Sequence, residues 1–98
     1  MTTKGDKTQD FVLTVNDSFL NIQPGIGEEW SIHNIYWGGA AEIYATDGTN
    51  DILVGSSETS GARLNNYLNC TSTQYFRIKN ISGSSVYLGY DGVITKGV

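Results

Sequence analysis

Charge is scarce in this 98-residue chain: 16% of the residues are Asp, Glu, Lys or Arg, and six are basic. Those six (Lys4, Lys7, Arg63, Arg77, Lys79 and Lys96) are scattered, so no basic stripe exists to neutralise a run of phosphates. With a formal net charge of −4, no nucleic-acid partner is expected. Long apolar runs are missing as well. None approaches the ~18 residues of a membrane span, and Met1-Thr-Thr-Lys-Gly-Asp-Lys7 lacks the apolar core of a secretory signal, so a soluble protein made in a cytoplasm is expected, without a membrane partner. The one cysteine, Cys70, can form no internal disulfide, which fits a reducing compartment rather than a stapled secreted scaffold. Without a secretory signal, the Asn-x-Ser/Thr sequons at Asn16, Asn69 and Asn80 read as accidents of an Asn/Ser/Thr-rich chain.

What remains is turn and strand chemistry. Of the 98 residues, 39 are Gly, Ser, Thr or Asn, and good helix formers are few. The length suits one domain, and a domain this small buries only a modest core that assembly could supplement. Residues 1–10 are polar and without period, and read as a flexible N-terminal arm preceding a domain at residues 11–98. Phe11-Val-Leu-Thr-Val15 and Phe19-Leu-Asn-Ile-Gln23, separated by Asn16-Asp-Ser18, read as one hairpin. Trp30 and Ile32 alternate along the next run, and Ile35 and Trp37 continue the apolar face after a phase slip, which predicts a bulge near His33-Asn34.

Asp47-Gly48 is the clearest hairpin signal, joining Ala40–Ala45 to a return strand at Asp51–Gly55. Residues 62–69 are ambiguous between a twisted strand and a helical turn. Gln74–Lys79 alternates, placing Phe76 and Ile78 on one face and Tyr75, Arg77 and Lys79 on the other; Val86–Tyr90 alternates again, and Asp91-Gly92 reads as a turn onto Val93–Thr95. Eight or nine short strands at a spacing of about ten residues predict an all-β fold, a single antiparallel β-sandwich or jelly-roll-like domain.

Catalytic signals are thin. His33 is the only histidine and neither Ser31 nor Cys70 gives it motif context, so a satisfied strand histidine is the favoured reading. Asp47-Gly-Thr-Asn-Asp51 loosely follows the start of a calcium loop but lacks the rest of the pattern, and a hairpin turn is favoured. Glu28, Glu29 and Glu42 lack the opposed geometry of a glycosidase pair. No catalytic, metal or cofactor residue is therefore assigned. The aromatics carry more: with Trp30 and Trp37 turned inward, Tyr36, Tyr44, Tyr75 and Tyr87 facing outward would form an exposed surface for a protein partner or for stacking on carbohydrate.

Gln23-Pro-Gly25, Glu28 through Trp37, Thr46-Asp-Gly-Thr49, Tyr75-Phe-Arg-Ile-Lys-Asn80 and Tyr87-Leu-Gly-Tyr-Asp-Gly92 resemble small virion structural proteins of tailed bacteriophages, those of the capsid decoration or cement type. The similarity spans about residues 19 to 96. It implies a β-sandwich or jelly-roll module held on a particle, commonly as a symmetric oligomer; no catalytic residue is carried over. The expectation is a non-enzymatic protein of the capsid exterior, bound to the major capsid protein or another virion protein and self-associated as a homotrimer. A tail, baseplate or head-fibre component and a carbohydrate-binding module are the alternatives.

Overall fold

The computed structural model describes residues 3–98, which form nine β-strands: β1 (Lys7–Thr14), β2 (Phe19–Ile22), β3 (Glu29–Trp37), β4 (Ala41–Thr46), β5 (Asp51–Ser57), β6 (Gly61–Arg63), β7 (Leu68–Thr71), β8 (Tyr75–Asn80) and β9 (Val86–Lys96). They make two antiparallel sheets. The first, sheet A, runs β1-β9-β3-β6, with β7 also pairing β3; the second, sheet B, runs β2-β8-β4-β5. Because β6 pairs Ile35–Trp37 and β7 pairs Glu29–Ile32 of the same neighbour, the two short strands occupy one edge position. Eight positions in two four-stranded layers result, with the chain changing sheets at every connection but the β4–β5 hairpin and the link within the β6/β7 edge. This is jelly-roll connectivity.

Period-two alternation explains the core. Ile22, Ile32, Ile35, Ile78 and Leu88 are wholly buried between the layers. Ile32 and Ile35 are three apart on one strand and would point oppositely in a regular ladder. The register of β3 against β9 shifts between Ile32 and Asn34, so the expected bulge at His33 turns both inward. Trp30 and Trp37 pack half-buried against this core, with Trp30 stacked on Tyr90 at 6.0 Å between centroids.

Several expectations need correcting. Lys7–Asp10 is not an arm but the first half of β1, in register from Lys7↔Val93 to Asp10↔Tyr90, and the Gly5 amide donates to the Ile94 carbonyl at 2.7 Å. An edge strand leaves one flank and its outer side chains in water, so polar composition is no bar to strand formation when a neighbouring strand satisfies its backbone. Met1 and Thr2 lie outside the described residues. Strands β1 and β2 do not form a hairpin: Asn16-Asp17-Ser18, with Asp17 at φ 65°, carries the chain from sheet A to sheet B. Residues 62–69 are extended and bent rather than helical. Asp91-Gly92 is not a turn, since β9 runs unbroken through it.

Asn80 locks one end of the sandwich. Its side chain is wholly buried, its amide donates to the carbonyls of Thr14 (2.8 Å) and Ser84 (2.7 Å), and its Oδ1 accepts from the Ser82 amide at 2.9 Å. Its backbone pairs with the β1–β2 connection, donating to Ser18 and accepting from Asp17. The end of β1 and the β8–β9 connection thus share one buried carboxamide.

Candidate functional site

The outer face of sheet A carries an organised set of exposed apolar groups. Leu13 lies directly opposite Tyr87 across the β1–β9 ladder, and the two are 55% and 61% exposed. Phe11 lies opposite Gly89 and Tyr36 flanks the same glycine from β3. With no side chain on Gly89, the Phe11 ring lies over it, where a Cβ would meet the ring and the Asp10 carbonyl, and reaches Tyr36 at 5.6 Å between centroids. Strand alternation puts Phe11, Leu13 and Tyr87 on this side because Leu88 and Tyr90 turn into the core.

A polar corner bounds the patch. Tyr36 donates its hydroxyl to Asp91 Oδ2 at 2.8 Å, Asn34 donates to Oδ1 at 2.7 Å, and Asn34 in turn accepts from the Asn65 amide at 3.1 Å. The hydrogen bond to Asp91, then burial and the Asp91 charge, hold the Tyr36 hydroxyl above its ordinary pKa, so it stays a donor at neutral pH.

The four tyrosines expected to share a surface do not. Tyr36 and Tyr87 stand together on sheet A. Tyr44 lies on the outer face of sheet B, donating to Glu42 at 2.8 Å beside Phe19, and that face is laced with charge: the Arg77 guanidinium stacks on Phe19 at 3.8 Å and lies 3.5 Å from Asp51. Tyr75 is a correction, since it is buried in the core cluster rather than outward with Arg77 and Lys79. At the first residue of β8 it closes the end of the sandwich under the β4–β5 turn, near Gly48. Phe11 and Leu13, the other half of the patch, were legible only as a period-two pair in the first strand.

The remaining candidates carry no assembled chemistry. Burial pushes the Cys70 thiol up to about 12, which leaves it protonated and unreactive at neutral pH. His33 meets Tyr67 edge-on at 5.5 Å, and its backbone carbonyl accepts from Asn66. Glu29 pairs with Lys96 at 3.8 Å on sheet A and Glu42 belongs to sheet B, so the two carboxylates do not face one another across a cleft. Among the described residues no three His, Cys, Asp or Glu side chains are grouped to hold a metal.

Asp47 serves the hairpin. Its Oδ1 accepts from the amides of Asn50 and Thr49, and its Oδ2 accepts from the Asn50 side chain; these bonds lower its pKa to about 2. A carboxyl depressed on folding contributes stability above its unfolded value, near 4, and that contribution is lost as pH falls through the folded value. Asp47→Asn should therefore flatten the acid limb of the melting-temperature profile between about pH 4 and pH 2 while changing little at pH 7 relative to Asp47→Ala. Parallel acid limbs in variant and wild type would remove Asp47 from the titration.

No protein-family model matches the chain, and no curated protein matches it in sequence. The functional reading accordingly rests on the fold, the surface and the motifs of the sequence.

Proposed function

We propose that this chain is a non-enzymatic virion structural protein, a capsid decoration or cement protein that binds the outer surface of a phage head. The observation that carries the reading is the unpartnered face of Phe11, Leu13, Tyr36 and Tyr87, built on a rigid sheet and rich in the residue types that anchor protein interfaces. The acidic balance suits an exterior position better than contact with packaged DNA. A module that binds only the assembled lattice stabilises it by mass action, without chemistry.

Binding to purified heads lacking the protein tests the proposal. Leu13→Asp with Tyr87→Ala should reduce affinity by about tenfold or more while leaving the fold intact, because both side chains are already solvated in the free domain. Undiminished occupancy by the double variant would move the docking surface elsewhere. Hundreds of copies per particle are expected; a few copies would favour a tail, baseplate or head-fibre part. A carbohydrate module is the second reading, favoured by the hydroxyl, carboxylate and carboxamide of Tyr36, Asp91 and Asn34 beside two aromatic rings, and a glycan array bearing on Tyr87→Ala addresses it.

A further inference from the structure

Each sheet of an open sandwich has two edges, and here the four differ. Strand β2 is four residues long with Leu20 and Ile22 turned inward, while β6 is Gly61-Ala-Arg63 and β7 holds the buried Cys70. Strand β1 instead presents Phe11-Val12-Leu13 and β5 presents Ile52-Leu53-Val54, each an unbroken run of exposed apolar side chains on a strand with one flank unpaired. Ile52 is 67% exposed. Long apolar edges of this kind are templates for pairing with another chain; neither Phe11–Leu13 nor Ile52–Val54 contains a charge or proline to blunt it, and β5 carries one bulge, at Val54.

The two edges lie on opposite flanks. Sheet A reads β1-β9-β3-β6 over sheet B reading β2-β8-β4-β5, and Gly55 of β5 lies beside Arg63 of β6, which sets β1 and β5 at the two far sides of the molecule. We propose that β1 of one copy pairs antiparallel with β5 of the next, joining copies head to tail. The proposal goes beyond the capsid reading and does not depend on it, and it leaves the outer face of sheet A free.

Complementarity argues for a second copy as the occupant. The strands are matched in length, eight residues against seven. The β4–β5 ladder already shows how β5 pairs: Ile43↔Gly55 and Tyr44↔Leu53, with Val54 as the extra residue of a bulge. The same spacing applied to the free flank of β5 sets Asp10 against Gly55, Phe11 against Leu53 and Val54, and Val12 against Ile52. Inward side chains then meet inward ones and outward meet outward. Continuing past Gly55, Gln9 meets Ser56, Thr8 meets Ser57 and Lys7 meets Glu58.

Two charge pairs follow that no apolar matching required: Lys7 with Glu58, and Asp10 with Arg63, whose guanidinium lies 3.7 Å from where a Gly55 Cβ would be. Lys7, Asp10, Glu58 and Arg63 are all exposed and enter no ion pair among the described residues. A contact between two different patches is heterologous, so each copy offers one β1 flank and one β5 flank.

Two blocking variants test this by sedimentation equilibrium at about 100 µM, a concentration suited to an interface of strand-edge size. Val12→Lys spoils the β1 flank and Ile52→Lys the β5 flank, and circular dichroism confirms that each remains folded. Wild type should associate, each variant alone should be monomeric, and the equimolar mixture should form dimers and stop there, since one intact flank of each kind remains. A monomeric wild type, a mixture without dimers, or association of either variant alone overturns the proposal; an associating Ile52→Lys would assign a β1-to-β1 contact instead. Lys7→Glu should weaken association about twofold to fivefold and Glu58→Lys in the same chain should restore it. Failure to restore overturns the register.

Discussion

Asn80→Leu should destabilise the domain by about 3–5 kcal/mol, lowering the melting temperature by roughly 15 °C or more. The substitution is close in volume, so little cavity forms, and the cost comes from the polar groups left behind. The carbonyl of Thr14 loses the carboxamide donor, that of Ser84 keeps only the Ser82 hydroxyl, and the Ser82 amide loses its acceptor, around a side chain that no solvent reaches. An orphaned buried group costs about 1–3 kcal/mol, most here at the buried Thr14 carbonyl and less at the part-buried Ser82 and Ser84 ends of the same network. Urea denaturation of the variant gives the number directly. A loss below about 1 kcal/mol would mean that the β1–β2 and β8–β9 connections hold themselves in place without the carboxamide. The same burial removes Asn80 as a glycan acceptor, although it heads a sequon.

Gly92→Ala is expected to be at least as damaging, with a loss of about 3 kcal/mol or more and poor soluble yield. Gly92 lies opposite Ile32 on β3 and Thr8 on β1, in the middle strand of sheet A. A Cβ there would run into the Ser31 carbonyl and come within 2.8 Å of the Ile32 Cα, both backbone atoms that no rotamer change can move. Relief requires β3 and β9 to separate next to the bulge, and Ile32 is at the centre of the core. Gly83 offers a contrast: it stands at φ 86° in a turn with open space around it, so its substitution costs only the left-handed strain of a surface loop. A Gly92→Ala protein melting within a few degrees of wild type would show that the two strands give way more easily than their backbone contact implies.

Gly92 also marks where sequence reading failed. Asp-Gly signals a turn at residues 47–48 and is a turn there, with Gly48 at φ 94°; at residues 91–92 the same dipeptide is strand interior, where glycine serves close approach of backbones. Nothing local separates the two cases, because the reason for Gly92 is Ser31, distant in the sequence and adjacent only across the β3–β9 ladder. The strands themselves were legible wherever one face is buried: Phe76 and Ile78, Trp30 and Ile32, and the phase slip at His33 all left their period in the sequence. Strand β1 escaped because its pairing partner, not its side chains, makes it a strand. The patch was half legible for a related reason. Tyr36 and Tyr87 are recognisable as outward residues of alternating strands, but whether Tyr75 at a strand end is covered depends on the hairpin folded above it, and that Phe11 and Leu13 join them depends on which strand β1 chooses as its neighbour.

That choice shapes how the protein can be made. In sheet A both β1 and β3 are hydrogen-bonded to β9, which is synthesised after the other eight strands, and no ladder joins β1 to β3. Strand β3 can pair earlier with β6 and β7, but β1 has no ladder partner besides β9, so its apolar run stays unpaired until residues 86–96 have emerged. Closure over so much intervening chain is slow, and a nascent chain stalled before β9 presents its stickiest segments to its neighbours. Truncations that remove β9 should accordingly collect in inclusion bodies or be degraded, since β1 is made long before the inner strand it pairs with.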